Sequence, residues 1–180
     1  MLNANIFFDF RALYGDSTLA DDLAAWLLAR TQDNKLFLRL MVANALQTEP
    51  PLGLIRAFEV GSGPEGDGKL DLKTRGTRLF VDAARVFALG QGVAQPSTLD
   101  RMRRAGEFLA VDARHVSATV EAFNFLQVMR LRTQDRSHEG APNRIDPYAL
   151  NEVEQRMLKE AFRQARKLQQ RLKETYAFSL

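Results

Sequence analysis

An apolar stripe near the end of the chain constrains its fold most. Leu150, Val153, Met157, Ala161, Ala165, Leu168 and Leu172 recur at three- and four-residue intervals. Only an α-helix brings residues at that spacing onto one face. Pro147 suits a first helical turn, so the stripe predicts a helix from about Pro147 to about Tyr176. Such a helix needs other helices to cover its apolar face, and the chain offers them. A second long helix is expected from about Asp112 to Arg136, apolar at Val116, Val120, Phe123, Leu126 and Met129. Ser17 or Thr18 can cap a helix carrying Leu19, Leu23, Trp26 and Leu27, which the Asp33-Asn34 pair ends. Leu36, Phe37, Leu40 and Met41 open the next, which stops before Pro50-Pro51. A helix from Leu79 to Leu89 ends at Gly90 and Gly92, and Ser97 or Thr98 starts another through Leu99, Met102, Ala105 and Leu109. The fold class is all-α, a bundle of about six helices.

Two stretches depart from helix. The opening run Ile6-Phe7-Phe8-Asp9-Phe10 reads as a short apolar strand with one carboxylate planted in it. Burying that carboxylate costs on the order of several kcal/mol unless a cation offsets it. Pairing with Arg11 or another arginine is the state expected of Asp9 in this chain. The second stretch is a small β excursion near residues 52–74. There Leu52–Val60 and Leu70–Leu72 flank the glycine-rich run Gly61–Gly68, the expected tip of a loose hairpin or extended pair. That run lacks the Gly-Lys-Ser/Thr ending of a P-loop, so it is read as a loop tip.

Composition narrows the function. There is no cysteine, which excludes disulfides, zinc thiolate sites and cysteine nucleophiles. The two histidines, His115 and His138, share no metal-ligand motif. Residues 1–60 carry 5 Lys/Arg against 7 Asp/Glu, residues 61–146 carry 13 against 11, and residues 147–180 carry 7 against 4. The basic excess sits mainly in the last helix and is diluted by glutamates, which argues against a nucleic-acid footprint. The longest apolar runs are far short of a membrane span, and the start lacks a basic n-region. The chain is expected in the cytoplasm, with no membrane partner.

The ordered motifs resemble a known family. Phe8-Asp9-Phe10-Arg11 followed by Gly15-Asp16 is similar to the last active-site strand of nucleotidyltransferases related to the protein-PII uridylyltransferases and glutamine-synthetase adenylyltransferases. Pro50-Pro51-Leu52-Gly53, Leu70-Asp71-Leu72-Lys73, Val81–Arg85, Met129–Arg132 with Gln134, and Asn143 with Ile145-Asp146-Pro147 follow in order. Together they resemble the C-terminal nucleotidyltransferase substrate-binding domain of bacterial signal-transduction proteins that also carry cyclic-nucleotide-binding and CBS domains. Thr133 stands where that pattern leads one to expect a histidine, and Ser97 where it leads one to expect an asparagine.

The resemblance implies two domains. Residues 1–16 would be the terminal strand segment of a nucleotidyltransferase-type domain, and residues 17–180 the helical substrate-binding domain. By the resemblance, Asp9 would be the third of three metal carboxylates, and the intact family protein would use Mg2+ and a nucleotide triphosphate. The other two carboxylates are not found in this sequence, so the chain alone is expected to be inactive and to bind no cofactor by itself.

The residues expected to line the facing cleft are Asp71, Lys73, Asp82, Arg85, Arg130 and Gln134. Asp71 and Lys73 share a face if their segment is extended. Asp82 and Arg85, three apart on an apolar helix, can pair with each other in a structural or a binding role. Asn124, Gln127, Arg130 and Gln134 form a polar stripe that either lines a cleft or faces solvent. Arg130 and Arg132 fit phosphate or carboxylate forks. The expected partners are an upstream nucleotidyltransferase domain or a protein acceptor, and a nucleotide. A reading from a different class is a regulatory protein–protein or dimerisation bundle, with the last helix as a homodimer surface.

Overall fold

The computed structural model describes residues 8–53, 57–60, 68–136 and 142–177. Its six α-helices are α1 (Thr18–Gln32), α2 (Lys35–Ala45), α3 (Arg78–Gln91), α4 (Thr98–Phe108), α5 (Ala113–Arg136) and α6 (Glu152–Leu172). Two short strands, β1 (Leu70–Asp71) and β2 (Arg144–Ile145), form an antiparallel pair. A π-helical turn, Lys73–Thr77, leads into α3, and another, Lys173–Ala177, extends α6. The molecule is therefore mostly α-helical with a small β excursion.

Helix α3 sits at the centre. Every residue from Asp82 to Leu89 is buried, and α1, α2, α4 and α6 all pack against the helix. That suits a sequence apolar nearly all the way round. Phe80 meets Phe123 of α5 with ring centroids 5.9 Å apart. Ala161, Ala165, Leu168 and Leu172 of the α6 stripe are buried, together with Leu158 and Phe162 beside it. The front of that stripe is not covered: Val153 is 64% and Met157 47% exposed.

Local chemistry fixes the helix ends. The Asn34 side chain accepts from the Phe37 amide and that of Asn151 from the Glu154 amide, while Ser97 accepts from Asp100 at 3.5 Å. Ser17 does not cap α1. Asp16 accepts from the Thr18 amide at 2.9 Å, and the Ser17 hydroxyl donates to Asp21 instead. Gly92, at φ +69°, closes α3 in the left-handed region.

Four expectations change. Phe8, Asp9 and Phe10 are not in a strand: the Asp9 carboxylate and the Phe8 carbonyl are engaged by arginine side chains. Ile6 and Phe7 lie outside the described residues. The expected hairpin partner of Leu70–Asp71 is also different. Leu70 pairs with Ile145 and Asp71 with Arg144, whereas Leu52 bridges Phe58. The tip, residues 61–67, is outside the described residues, as is His138. Lys73 does not share a strand face with Asp71, because the chain turns helical directly after Leu72 and Asp71 accepts from the Lys73 and Thr74 amides. Finally, α6 starts at Glu152 rather than near Pro147, since the Asn151 cap sets its first turn.

Candidate functional site

Two polar clusters interrupt the apolar packing. The first is built on α5. Arg130, half-buried, donates from Nε to Oδ1 of Asn143 at 3.1 Å, and from Nη1 to the Thr77 hydroxyl at 3.1 Å and to Oε1 of Gln127 at 2.9 Å. Gln134 donates to the same Asn143 oxygen at 3.1 Å. The Asn143 backbone carbonyl accepts from the Leu72 amide at 2.9 Å. The junction thus joins α5, the turn before α3 and the segment entering β2. Of the polar stripe read from the sequence, Gln127, Arg130 and Gln134 meet here, while Asn124 faces solvent.

Beyond Asn143 the chain forms one wall of a cleft of about 380 Å³ between α5, β2 and the start of α6. Arg132 and Thr133 come from α5, Arg144 and Asp146 from the β2 segment, and Leu150 and Glu154 from the approach to and first turn of α6. Arg132 and Glu154 pair across it at 3.2 Å, with Arg132 57% exposed. The volume suits a small ligand. Two arginines against two carboxylates can bind a ligand carrying both an anionic group and hydrogen-bond donors. Arg130 does not line this cleft. Through Asn143 it holds the wall that does.

The second cluster lies on another face of α3. Asp82 accepts from Arg78 at 3.1 Å and from Arg85 at 3.0 Å, the (i, i+3) pair expected from the spacing. Asp9 bridges Arg85 of α3 and Arg101 of α4, the latter at 2.6 Å. Arg101 also donates to the Phe8 carbonyl at 2.9 Å and to that of Gln95 at 2.7 Å. Burial alone would push the Asp9 carboxyl up. Hydrogen bonds from Arg85 and Arg101, with their charges, outweigh it and hold the group below the ordinary carboxylate range.

The residues around Asp9 do not fit Mg2+. Both of its oxygens are taken by guanidinium groups, and the nearby Asp82 is committed to Arg78 and Arg85. Two arginines repel a divalent cation. No group of three metal-ligating side chains occurs among the described residues.

The structure therefore divides the expected site residues. Arg130 and Gln134 meet at Asn143, and Asp71 pairs in register with Arg144 at the edge of the cleft wall. Lys73 is exposed on the adjoining turn. Asp82 and Arg85 belong to the Asp9 cluster. Sequence reasoning gave no role to Arg101, Thr77, Arg144 or Asn143. Only Asn143 carried a signal, as a member of the resembling motifs. Arg101 sits beside Arg103 and Arg104, and nothing local separates one buried arginine from two solvated ones.

A family model described as "Putative nucleotidyltransferase substrate binding domain" matches residues 35–176. The chain belongs to this family. No curated protein and no solved structure matches it. The match begins at the first residue of α2 and takes in the cleft, the Arg130–Asn143 junction, Arg85 and Arg101. Asp9 and α1 precede the matched span. No helix of the described residues of this nucleotidyltransferase substrate-binding domain is long and apolar enough to cross a membrane.

Proposed function

We propose that the chain is the helical accessory domain of a bacterial nucleotidyltransferase-like signal-transduction protein in the cytoplasm, holding a substrate against a catalytic domain and inactive alone. Residues 17–180 would form this domain, and residues 1–16 the end of the catalytic one. Mg2+ and the reacting triphosphate would be held chiefly by that catalytic partner. The observation that carries the reading is the mixed-charge cleft inside the family match. Arg132 and Arg144 would fork the phosphates of a nucleotide, and Asp146 and Glu154 would accept from its ribose hydroxyls or base amino groups. Arg130, Gln134 and Asp71 would position the wall, and Lys73 would supply charge at its edge. Calorimetric titration with ATP and UTP, with and without Mg2+, tests this. Saturable heat that the Arg132→Gln/Arg144→Gln variant loses supports it. No heat and no thermal shift with either nucleotide counts against it.

One observation favours a second reading, a protein-binding or homodimer surface. Val128, Leu131, Val153 and Met157 on α5 and α6 are between 45% and 64% exposed, more apolar surface than a solvated face needs. Light scattering would show a concentration-dependent dimer in that case, and a monomer at high concentration would set it aside.

A further inference from the structure

We propose that Arg85 and Arg101 form a phosphate-binding site that the chain masks with its own Asp9. The two side chains come from neighbouring helices and are only 7% and 6% exposed, so they form a buried pair of cations that demands an anion. Arg78, Arg85 and Arg101 face two carboxylates, Asp82 and Asp9. Removing Asp9 raises the cluster from one net positive charge to two, which suits a dianion.

The forks are held by groups other than Asp9. Asp82 fixes Nη1 of Arg85 at 3.0 Å, and the Gln95 carbonyl fixes Nε of Arg101 at 2.7 Å. Both guanidiniums would thus stay aimed at the site after Asp9 left. The Nε of Arg85 is buried without an acceptor, one donor more than the two carboxylate oxygens satisfy. A phosphate brings additional acceptor oxygens.

Asp9 is the replaceable member. It is 36% exposed, far more than either arginine. The residues after it, Arg11 to Asp16, are all exposed. The strap is otherwise anchored by the Phe8 carbonyl, which accepts from Nη2 of Arg101 at 2.9 Å, and by Phe8 against Phe37, ring centroids 5.6 Å apart, while Phe10 lines a small cavity with residues of α1 and α3. The arginines lie inside the family match and Asp9 outside it. A tethered carboxylate lowers the apparent affinity for a free anion by the fraction of time the site is open.

Pyrophosphate is the probe. The Asp9→Asn chain should bind it at least about tenfold more tightly than the unaltered chain, and adding Arg101→Gln should abolish the gain. The same gain with ATP, unaffected by Arg132→Gln/Arg144→Gln, would name a nucleotide's phosphate tail as the source. A gain with pyrophosphate alone would name the free anion. Equal pyrophosphate affinity in the unaltered and Asp9→Asn chains overturns the proposal. Because Asp9→Asn could weaken folding, hydrogen exchange of the unaltered chain gives a second reading. Faster exchange at residues 9–17 in tens of millimolar pyrophosphate supports displacement of the strap, and unchanged exchange at saturation overturns it.

Discussion

Arg130 donates from Nε to Oδ1 of Asn143 at 3.1 Å, and this bond ties the longest helix to the segment that walls the cleft. The same guanidinium serves Thr77 and Gln127, so it joins the end of the π-helical turn before α3, the body of α5 and the entry to β2. Arg130→Leu leaves the Thr77 hydroxyl and the Gln127 side-chain oxygen without this donor, and Asn143 Oδ1 with Gln134 alone, at a cost of about 1–3 kcal/mol. It should also weaken nucleotide binding although Arg130 does not line the cleft. Arg130→Lys should restore neither, since a single ammonium on a flexible stem cannot reproduce the planar fork. Urea denaturation and calorimetry on the two variants read both effects.

At the other end of α3, Gly90 lies under the ring of Tyr176. A Cβ there would collide with the Tyr176 hydroxyl oxygen and sit 2.8 Å from two ring carbons. Tyr176 also packs on Phe87, with ring centroids 5.9 Å apart. Gly90→Ala should destabilise by roughly 1–3 kcal/mol by forcing that ring outward. Combining it with Tyr176→Leu should cost less than the sum of the two single changes, as measured by a thermal-denaturation double-mutant cycle.

Leu126 of α5 is fully buried. Leu126→Ala should cost about 2–5 kcal/mol through lost burial and the cavity left behind. The urea midpoint should fall while the slope of the transition stays the same.

The strap gives a pH dependence with a definite sign. The carboxyl of Asp9 is held below its ordinary value in the folded chain. Its contribution is therefore fully present above the unfolded carboxylate pKa, about 3.9, and is lost as pH falls through the lower folded value. The stability difference between the unaltered chain and Asp9→Asn should be constant from pH 7 to about 5 and shrink at more acid pH. Thermal melts across that range check it. A difference that grows on acidification would contradict the pairing.

The helices were legible because each carries its own period and its own end signal. The α6 stripe, the Asp33-Asn34 break and Gly92 each act within a few residues. The pairing of Asp82 with Arg85 was legible for the same reason, being three residues apart on one helix. The non-local contacts were not. Asp9 finds arginines 76 and 92 residues away, and Leu70 pairs with Ile145 across the chain. No short-range pattern marks which of many arginines meets a distant partner, so Arg101 and Arg144 carry no signal in the sequence, and Arg85, paired with Asp82 as its spacing predicts, also joins Asp9 from far along the chain. Pro147 misled for a simpler reason: it suits a first helical turn, but the Asn151 side chain caps α6 four residues later.

The α5–β2–α6 cleft is the proposed nucleotide site. Calorimetric titration of ATP and UTP into the unaltered chain and into Arg132→Gln/Arg144→Gln tests it most directly, with melting temperatures recorded beside each. The account predicts saturable binding in the first and its loss in the second at an unchanged melting temperature. Absence of binding to the unaltered chain, or equal binding to both, would contradict it.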